Sequence, residues 1–416
     1  MLSLDFIRQH PEELEKAAEE KGIDPQLIRR FLALDKKRRS LLREIEALRA
    51  QKNQLAKERD IERGREIKAL LKKKEPLLKE TEEEFQKLLL WLPNIPAPQA
   101  PRGKDESGNR VIKKWGKIPS FDFSPLSHLE LGKKWDLLDL EKGAAVSGFR
   151  GYYLKNEAAL LHFAILFYSW KKIIEKGFQP LFPPSILKEF ALVGSGHFPF
   201  GEEDIYRLEN TGKEEALYLS GTAEPSLLAY FAGRTLEEKD LPVTVCGWTQ
   251  CYRREAGSYG RDTKGLYRLH EFMKVEQVVL TPAETAVSSQ WLIKIREFAE
   301  EILQDLELPY RVVEVCTGDM GAGKYQMFDI ETYMPSRKGY GETHSASNLT
   351  DWQARRLKIR YRDKDGKTRF VHTLNSTMIA SPRILIAILE NYQQEDGSIL
   401  IPKVLRSLVG KEKIGK

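Results

Sequence analysis

Apolar residues recur at every seventh position over two stretches near the start of the chain. The first stretch contains Leu27, Leu34, Leu41, Leu48 and Leu55, with Phe31 and Ile45 at the second apolar position of the repeat. The second contains Leu71, Leu78, Phe85 and Leu92. This spacing is typical of a helix that packs against another helix along one seam. The pattern therefore predicts an antiparallel helical hairpin whose turn lies near Asp60–Gly64.

Two prolines affect the helices that are predicted in this region. Pro11 predicts the start of a short helix that ends at Gly22. Pro76 lies inside the second long helix, where the missing N–H group and the proline ring should kink the helix or break it locally.

A proline-rich segment, PNIPAPQAP at 93–101, predicts a linker. We therefore expect a helical arm domain over 1–100 and a second domain over 101–416. Residues 102–126 and Gly339–Asp351 are polar and rich in turn residues, which predicts an irregular connection and a loop.

The second domain mixes strand and helix patterns without regular alternation. Helices are predicted at Glu157–Lys176 and Thr281–Leu308, and strands at Tyr310–Val315 and Gln326–Met334. The fold class is therefore α+β, with a mainly antiparallel sheet flanked by helices and preceded by the coiled-coil arm.

A hairpin with a long polar loop is predicted over Gln250–Glu276. Its return arm places alternate residues on one face: Arg268, His270, Phe272, Lys274 and Glu276. Arginines bind phosphate, an aromatic ring stacks on a base, and carboxylates bind an amino group. A nucleotide site is one interpretation, and a solvated face with ordinary cross-strand ion pairs is the other.

Composition limits the class of protein. The chain has 416 residues and a net charge of +6, and residues 28–93 hold 19 Lys/Arg against 12 Asp/Glu. This basic stretch fits an arm that lies along nucleic acid, although a dimerisation coiled coil with a solvated face has the same pattern. Three cysteines, no signal peptide and no membrane-length apolar run favour a cytoplasmic protein without membrane contact.

The common nucleotide and metal motifs are absent from the sequence. No GxGxxG follows a predicted strand, no GxxxxGK[ST] occurs, and no Cys/His cluster has zinc-ligand spacing. Near the end of the chain, Ser381 and Pro382 predict a capped helix start beside Arg383. That position favours phosphate, although a plain capped helix has the same pattern.

Several motifs, taken in chain order, resemble those of a known family. Gly177–Pro184, Tyr252–Glu255 with Arg268–Phe272, and Arg383 resemble motifs 1, 2 and 3 of class II aminoacyl-tRNA synthetases. Four further stretches narrow the resemblance to the bacterial type of seryl-tRNA synthetase: Thr222–Glu224, Cys316–Gly321, Glu342–Asn348 and Gln353–Arg356. The resemblance extends over essentially the whole chain.

The resemblance implies a serine–tRNA ligase. Serine and ATP, with Mg²⁺, would form seryl-adenylate and pyrophosphate, and the seryl group would pass to the 3′ end of serine tRNA. It also implies a homodimer whose arm binds the long variable arm of the tRNA on the partner subunit. Whether selenocysteine tRNA is also charged stays open.

The resemblance also assigns site residues. L-serine would be bound by Thr222, Ala223, Glu224, Arg253, Glu276, Asn375 and Thr377. ATP would be bound by Arg253, Arg254, Glu255, Arg268, Phe272, Glu342, Thr343, His344, Ser345 and Arg383, and Mg²⁺ by Glu342 and Ser345. The catalytic residues would be Arg253, Glu276 and Arg383. The loop Ala256–Gly265 is expected to move and to meet the acceptor end of the tRNA.

Two other functions share part of this pattern. An amino-acid activator that loads a carrier protein should lack the basic arm. A catalytically inactive paralogue acting as an RNA-binding protein should have lost motif residues, yet Arg253, Glu255, Glu342 and Arg383 are all present.

Overall fold

The computed structural model describes residues 1–209, 215–256 and 265–415. The chain divides into two compact units, Met1–Ile95 and Pro96–Lys416. Most of the hairpin loop that is expected to move, including Arg261, lies outside the described residues.

The first unit contains the predicted helical hairpin. Its helices are α1 Leu4–Gln9, α2 Pro11–Glu20, α3 Gln26–Glu58 and α4 Ile61–Leu90. The turn uses Arg59 in the left-handed conformation (φ 61°) and Asp60, whose side chain caps α4 by accepting from the N–H of Arg63. Cross-helix pairs such as Arg49 with Glu75 (2.8 Å) show the antiparallel register. The hairpin prediction is confirmed.

The arm has a continuous core only near its base. Phe31 and Phe85 stack at 4.9 Å there, among the buried side chains of Ile7, Leu14, Ile28, Leu89 and Leu92. Farther out, Leu48 and Leu55 are only half-buried. The core at the base is therefore formed by other apolar residues, and the heptad leucines Leu27 and Leu34 are only partly buried against it.

Of the kink or local break predicted at Pro76, the break is wrong. Helix α4 continues through Pro76 without interruption. Proline removes the N–H group that would bond to the carbonyl of Lys72. Both residues are exposed, so water can hydrate that carbonyl and the helix tolerates the missing bond.

A buried carboxylate joins α1 to α3 at the base of the arm. Asp35 accepts hydrogen bonds from Arg8 (2.9 and 3.1 Å), Arg38 (3.3 Å) and Arg39 (3.0 Å). Its side chain is 1% exposed. Burial by itself raises the pKa of Asp35, but the arginines lower it more, and the net pKa lies below the ordinary value.

The second unit is built on one large sheet with helices around it. Its helices are α5 His128–Lys134, α6 Leu140–Ser147, α7 Asn156–Glu175, α8 Glu189–Ser195, α9 Glu224–Ala229, α10 Thr285–Asp305, α11 Trp352–Leu357, α12 Arg383–Asn391 and α13 Arg406–Val409. Its strands are β1 Arg110–Trp115, β2 Leu138–Asp139, β3 Tyr153–Leu154, β4 Gln179–Leu181, β5 Ile186–Lys188, β6 Leu217–Leu219, β7 Thr235–Glu237, β8 Val243–Tyr252, β9 Glu271–Thr281, β10 Tyr310–Glu314, β11 Gln326–Met334, β12 Gly339–Asn348, β13 Arg360–Arg362, β14 Thr368–Phe370, β15 His372–Ser381, β16 Ile399–Leu400 and β17 Lys413–Ile414.

Within the described chain the large sheet has 8 strands, in the order β1-β10-β11-β12-β15-β9-β8-β4. Every neighbouring pair is antiparallel except β4 with β8. Helices α7, α10 and α12 pack on the sheet and bury apolar residues such as Ile165, Leu292 and Leu385. The α+β fold class with a mainly antiparallel sheet is confirmed.

Several local predictions are wrong. Residues predicted as irregular form the edge strand β1, and the predicted loop at Gly339–Asp351 contains β12. Both stretches are rich in polar side chains, and their pairing with β10 and β11 overrides that local signal. The return strand of the predicted hairpin is β9, which begins at Glu271, so Arg268 and His270 lie before the strand.

Ser381 does not cap α12. The helix follows Pro382, and no side chain bonds to its first turn. Ser381 is the last residue of β15, and its Oγ lies 2.8 Å from Nδ1 of His162 on α7. Arg383 is the first residue of the helix, so it lies at the helix start as predicted, although Pro382 precedes the helix rather than forming part of its first turn.

Candidate active site

A cavity of about 230 Å³ lies against the face of the large sheet. Its walls come from the central strands β9, β12 and β15, from the segment after β8, and from the starts of α9 and α12. Most of the residues that the sequence assigns to serine and ATP meet here: Thr222, Glu224, Arg253, Glu255, Arg268, Phe272, Glu276, Glu342, Thr343, Ser345, Asn375, Thr377 and Arg383.

A β-bulge brings Glu342 and Ser345 to the same cavity. Residues three apart on a regular strand point to opposite faces. The register shows Glu342 opposite Glu331 and His344 opposite Ile330, so Thr343 is the extra residue. The bulge reverses the alternation, and both Glu342 and Ser345 line the cavity.

The closed end of the cavity is acidic and hydrogen-bonded. Glu224 Oε1 accepts from Gln353 Nε2 (2.6 Å) and from Asn375 Nδ2 (2.9 Å). Burial by itself raises the pKa of Glu224, but the positive charge of Lys324 and further cationic neighbours outweigh it and lower the net pKa. Glu224 is therefore held as a carboxylate.

A second carboxylate faces Glu224 across this end. Glu276 forms an ion pair with Lys274, whose Nζ also lies 3.4 Å from Thr377 Oγ1. Glu276 and Thr377 are directly opposite in the pairing of β9 with β15. Burial raises the pKa of Glu276, and Lys274 offsets only part of that rise.

The mouth of the cavity carries arginines and a ring. The Nε of Arg253 donates to the carbonyl of Gly221 (3.2 Å), and its guanidinium lies 5.2 Å from the centre of the Phe272 ring. Arg268 Nη1 contacts Glu255 Oε2 at 2.5 Å. Glu255 adopts the left-handed backbone conformation (φ 54°), which is uncommon for a residue with a side chain and clusters at functional sites.

Arg383 is fixed at the start of α12. Its Nε donates to the carbonyl of Tyr267 (2.9 Å) and its Nη1 to the carbonyl of Glu342 (3.0 Å). Nη1 also lies 3.3 Å from Glu342 Oε2. Burial by itself lowers the pKa of Arg383, but Glu342, Tyr267 and Glu255 together outweigh it and raise the net pKa. Arg383 is thus a preorganised cation at the cavity wall.

Carboxylates gather near Ser345 in a way that suits a cation. Asp329 lies opposite Ser345 in the pairing of β11 with β12, and its buried Oδ1 finds no hydrogen-bond partner among the described residues. Burial, together with the charge of Glu342, raises the pKa of Asp329 well above its ordinary value. A cation between these oxygens would relieve both effects.

Three assigned residues do not line the cavity. Ala223 is buried in an apolar cluster with Leu227, and Arg254 is held by its backbone N–H, which donates to the carbonyl of Asp204 (2.8 Å). His344 is buried beside Thr343, with 2.8 Å between Nδ1 and Oγ1, and burial lowers its pKa to about 3. His270, which the alternation places on the nucleotide face, instead lies beside Tyr206, at 6.3 Å between rings.

Four residues with titratable side chains are among those that line the cavity without having been assigned to it: His197, Tyr267, Lys274 and Lys324. Lys274 shares the predicted face of the hairpin, and Lys324 ends the glycine-rich stretch from Thr317, so both had a signal in the sequence. His197 had none, because a buried histidine is usually structural. Burial lowers its pKa to about 4.

The fold and the cavity define a class II synthetase core. The family model of the tRNA synthetase class II core domain (G, H, P, S and T) matches residues 206–392, and that of the seryl-tRNA synthetase N-terminal domain matches residues 1–96. The serine–tRNA ligase of Deinococcus radiodurans is 45% identical over 427 aligned residues, which cover 100% of this chain and 99% of the relative. The chain therefore belongs to the seryl-tRNA synthetase family, whose members are aminoacyl-tRNA ligases.

Solved structures agree with this membership. The seryl-tRNA synthetase of Pyrococcus horikoshii, complexed with ATP, is 39% identical and superposes with a TM-score of 0.92 over 100% of this chain and 99% of its own. The cytoplasmic serine–tRNA ligase of Naegleria fowleri, in complex with AMP, is 28% identical with a TM-score of 0.90 over 100% and 98%. Of the described helices, none has the length and apolarity needed to cross a bilayer.

Proposed function

We propose that this chain activates L-serine with ATP and transfers it to the 3′ end of serine tRNA. The observation that carries the proposal is the cavity itself. Its closed end presents buried carboxylates, an amide and a hydroxyl, and its mouth presents arginines and an aromatic ring. A small amino acid at the closed end and a nucleotide at the mouth would meet beside Arg253, which lies between them.

The closed end would select serine. The lowered pKa of Glu224 keeps it anionic, as binding of an ammonium group requires. Glu276 and Thr377 lie side by side and can hydrogen-bond the substrate hydroxyl. Alanine would leave these polar groups unpaired, which typically costs a factor of about 10⁴ to 10⁵ in discrimination.

The mouth would hold ATP. Phe272 would stack on adenine and Glu255 would accept from its amino group, while Arg268 and Arg383 would bind phosphate oxygens. Arg253 would bind the α-phosphate and the serine carboxylate together. The reaction needs aligned reactants and neutralised charge rather than a protein nucleophile, and fixed guanidinium groups supply both.

Mg²⁺ fits the residues at the wall. Glu342 and Ser345 would hold it, with the buried Asp329 oxygen nearby to complete the anionic surroundings. Among the described residues no group of three or more His, Cys, Asp or Glu could form a metal cage. This suits Mg²⁺, which is usually held by one or two carboxylates together with substrate phosphates. The ion would neutralise phosphate charge as pyrophosphate departs.

A second copy of the chain would cover an exposed apolar surface of the catalytic unit. On α7 the side chains of Leu160, Phe163 and Phe167 are 48%, 53% and 44% exposed, and Phe182 beside the edge strand β4 is 96% exposed. Such a surface next to an open sheet edge is typical of an interface. We therefore propose a homodimer, and Phe163→Glu should shift sedimentation toward the monomer, whereas a wild-type monomer would contradict it.

The arm would bind the long variable arm of serine tRNA held by the partner subunit. Its excess of basic residues over 28–93 supports contacts to phosphates. We also propose that residues 1–100 form the arm domain and that residues 101–416 form the catalytic domain. The enzyme would act in the cytoplasm.

ATP–pyrophosphate exchange across a panel of amino acids tests the proposal. We expect Mg²⁺-dependent exchange with serine and loss of exchange when Mg²⁺ is chelated. Alanine and threonine serve as matched controls, since they lack the hydroxyl or add a methyl group. Faster exchange with either would overturn the serine assignment, and no exchange with any amino acid would favour the inactive RNA-binding paralogue.

A further inference from the structure

The imidazole of His128 lies between two parts of the cavity wall without touching the cavity. Its Nδ1 lies 2.7 Å from Glu390 Oε1 on α12, and its Nε2 accepts from the backbone N–H of Leu266 (3.3 Å). The side chains of His128 and Glu390 are 10% and 0% exposed. One buried ring thus joins the helix that begins with Arg383 to the segment that precedes β9.

The hydrogen bonds require one form of the ring. Glu390 accepts from the backbone N–H groups of His128 (3.0 Å) and Ser336 (2.9 Å), and from Ser336 Oγ (2.8 Å). Burial by itself raises the pKa of Glu390, but these donors and the imidazole lower it more. A carboxylate at Nδ1 requires the ring proton there, which leaves Nε2 as the acceptor that the Leu266 N–H needs.

The backbone next to Leu266 is shaped around this ring. Gly265 has φ 81°, a conformation that favours glycine, and a Cβ at that position would lie 2.2 Å from His128 Nε2. The close approach therefore depends on the missing side chain. The contact of His128 with Leu266 is thus built into both the ring and the segment opposite it.

The segment held by His128 carries cavity residues. Leu266, Tyr267 and Arg268 all line the cavity. The carbonyl of Tyr267 accepts from Arg383 Nε (2.9 Å), and the Tyr267 hydroxyl donates to the carbonyl of Glu342 (3.3 Å). Helix α12 is therefore connected to this segment in two ways. Arg383 bonds to it directly, and Glu390 is linked to it through His128.

We propose that His128 is a positioning residue for ATP binding. By connecting the Leu266 backbone to α12, His128 fixes the positions of Tyr267, Arg268 and Arg383. Removing the acceptor at Nε2 leaves the Leu266 N–H without its bond to His128. One of the two connections between α12 and this segment is then lost. The inference rests on the proposed function, because the groups it places are those assigned to the nucleotide.

Two substitutions separate this role from simple packing. In His128→Asn the amide reaches the place of Nδ1, keeps the bond to Glu390 and loses the acceptor for Leu266. In His128→Gln the amide oxygen reaches the place of Nε2 and keeps that acceptor, while Glu390 retains its donors from Ser336 and from the backbone of residue 128.

Serine-dependent pyrophosphate exchange and thermal unfolding are measured for both variants of the full-length chain. We expect His128→Gln to stay within about threefold of wild type and His128→Asn to raise the KM for ATP about tenfold, as expected for one lost positioning bond. Thermal stability should rank the variants the other way, with His128→Asn at least as stable. Equal KM values, or activity that follows stability, would overturn the inference.

The proposed function fails separately from this inference. Absence of serine-dependent exchange in the wild-type chain would count against the function alone. The Kd for ATP, measured by calorimetry, then tests His128 in its place, with the same tenfold loss expected only for His128→Asn. Equal ATP affinities for the two variants would overturn the positioning role.

Discussion

Charged side chains are arranged in opposite ways in the arm and around the cavity. In the arm, the cross-helix pair of Arg49 with Glu75 joins side chains that are 61% and 45% exposed. At the closed end of the cavity, Lys274 and Glu276 pair at 7% and 3% exposure. Exposed pairs add little to stability, whereas buried charges lose hydration that pairing only partly restores.

The difference indicates what each unit is built to do. The arm keeps its charges in water, where a polyanion can reach them. The catalytic unit buries charges that folding alone does not favour, which is typical of a ligand site. Asp35 departs from this pattern in the arm, because its buried carboxylate meets three arginines and has a structural role.

Among single substitutions, the largest effect is expected where a charge serves the reaction. Arg253→Gln should lower serine-dependent exchange by about 10²- to 10³-fold, the usual cost of one transition-state donor. Arg362→Gln, an exposed position on β13, is the matched control and should leave the rate unchanged. Similar losses in both variants would mean that Arg253 acts through stability.

A smaller effect is expected at the base of the arm. Asp35→Asn should lower the free energy of unfolding of this unit by about 1–3 kcal/mol, because three arginines lose a charged partner. Hydrogen exchange of α1 and α3 measures the change, and pyrophosphate exchange should be unaffected. Unchanged protection of α1 would show that the apolar core alone holds the base together.

The same site gives a pH dependence. The pKa of Asp35 is lowered in the folded chain, so its contribution to stability is fully present above the ordinary value of 3.8. The contribution is lost as the pH falls through the lower folded value. The stabilities of wild type and Asp35→Asn should therefore converge in that acidic window, and a constant gap across it would contradict the assignment.

The smallest effect is expected at the exposed pair. A double-mutant cycle of Arg49→Ala and Glu75→Ala should give a coupling energy of about 0.2–1 kcal/mol that falls with added salt. Denaturant unfolding measures it. A coupling energy as large as the loss of unfolding free energy in Asp35→Asn would contradict the difference between exposed and buried charges.

Sequence reasoning predicts the arm well because its contacts follow a local repeat. The spacing of Leu27 to Leu55 sets the helix, and the same spacing after the turn sets its partner. Even there, the pattern did not show that Leu48 would stay half-buried or that water would let α4 pass through Pro76.

For the catalytic unit, the sequence predicts the fold class and the site residues but not how the strands bring those residues together. Glu342 and Ser345 were assigned to one metal although they lie three residues apart, and only the bulge at Thr343 explains how both reach one cavity. Strand β12 reads as a loop because its polar side chains face a site. The tie from Glu390 through His128 to Leu266 joins residues more than 100 positions apart, and no local pattern reports it.

The most direct test shortens the arm while keeping its base. Residues between Ser40 and Glu80 are replaced by a short glycine-containing turn, which retains Asp35 and the stacked pair of Phe31 and Phe85. Serine-dependent pyrophosphate exchange and charging of serine tRNA are then measured on the same protein. The account predicts exchange within about threefold of wild type, since no cavity residue is removed, and charging reduced by about 10³-fold or more, as expected when many phosphate contacts are lost. Full charging by the shortened chain, or loss of exchange together with charging, would contradict the division of labour between the two units.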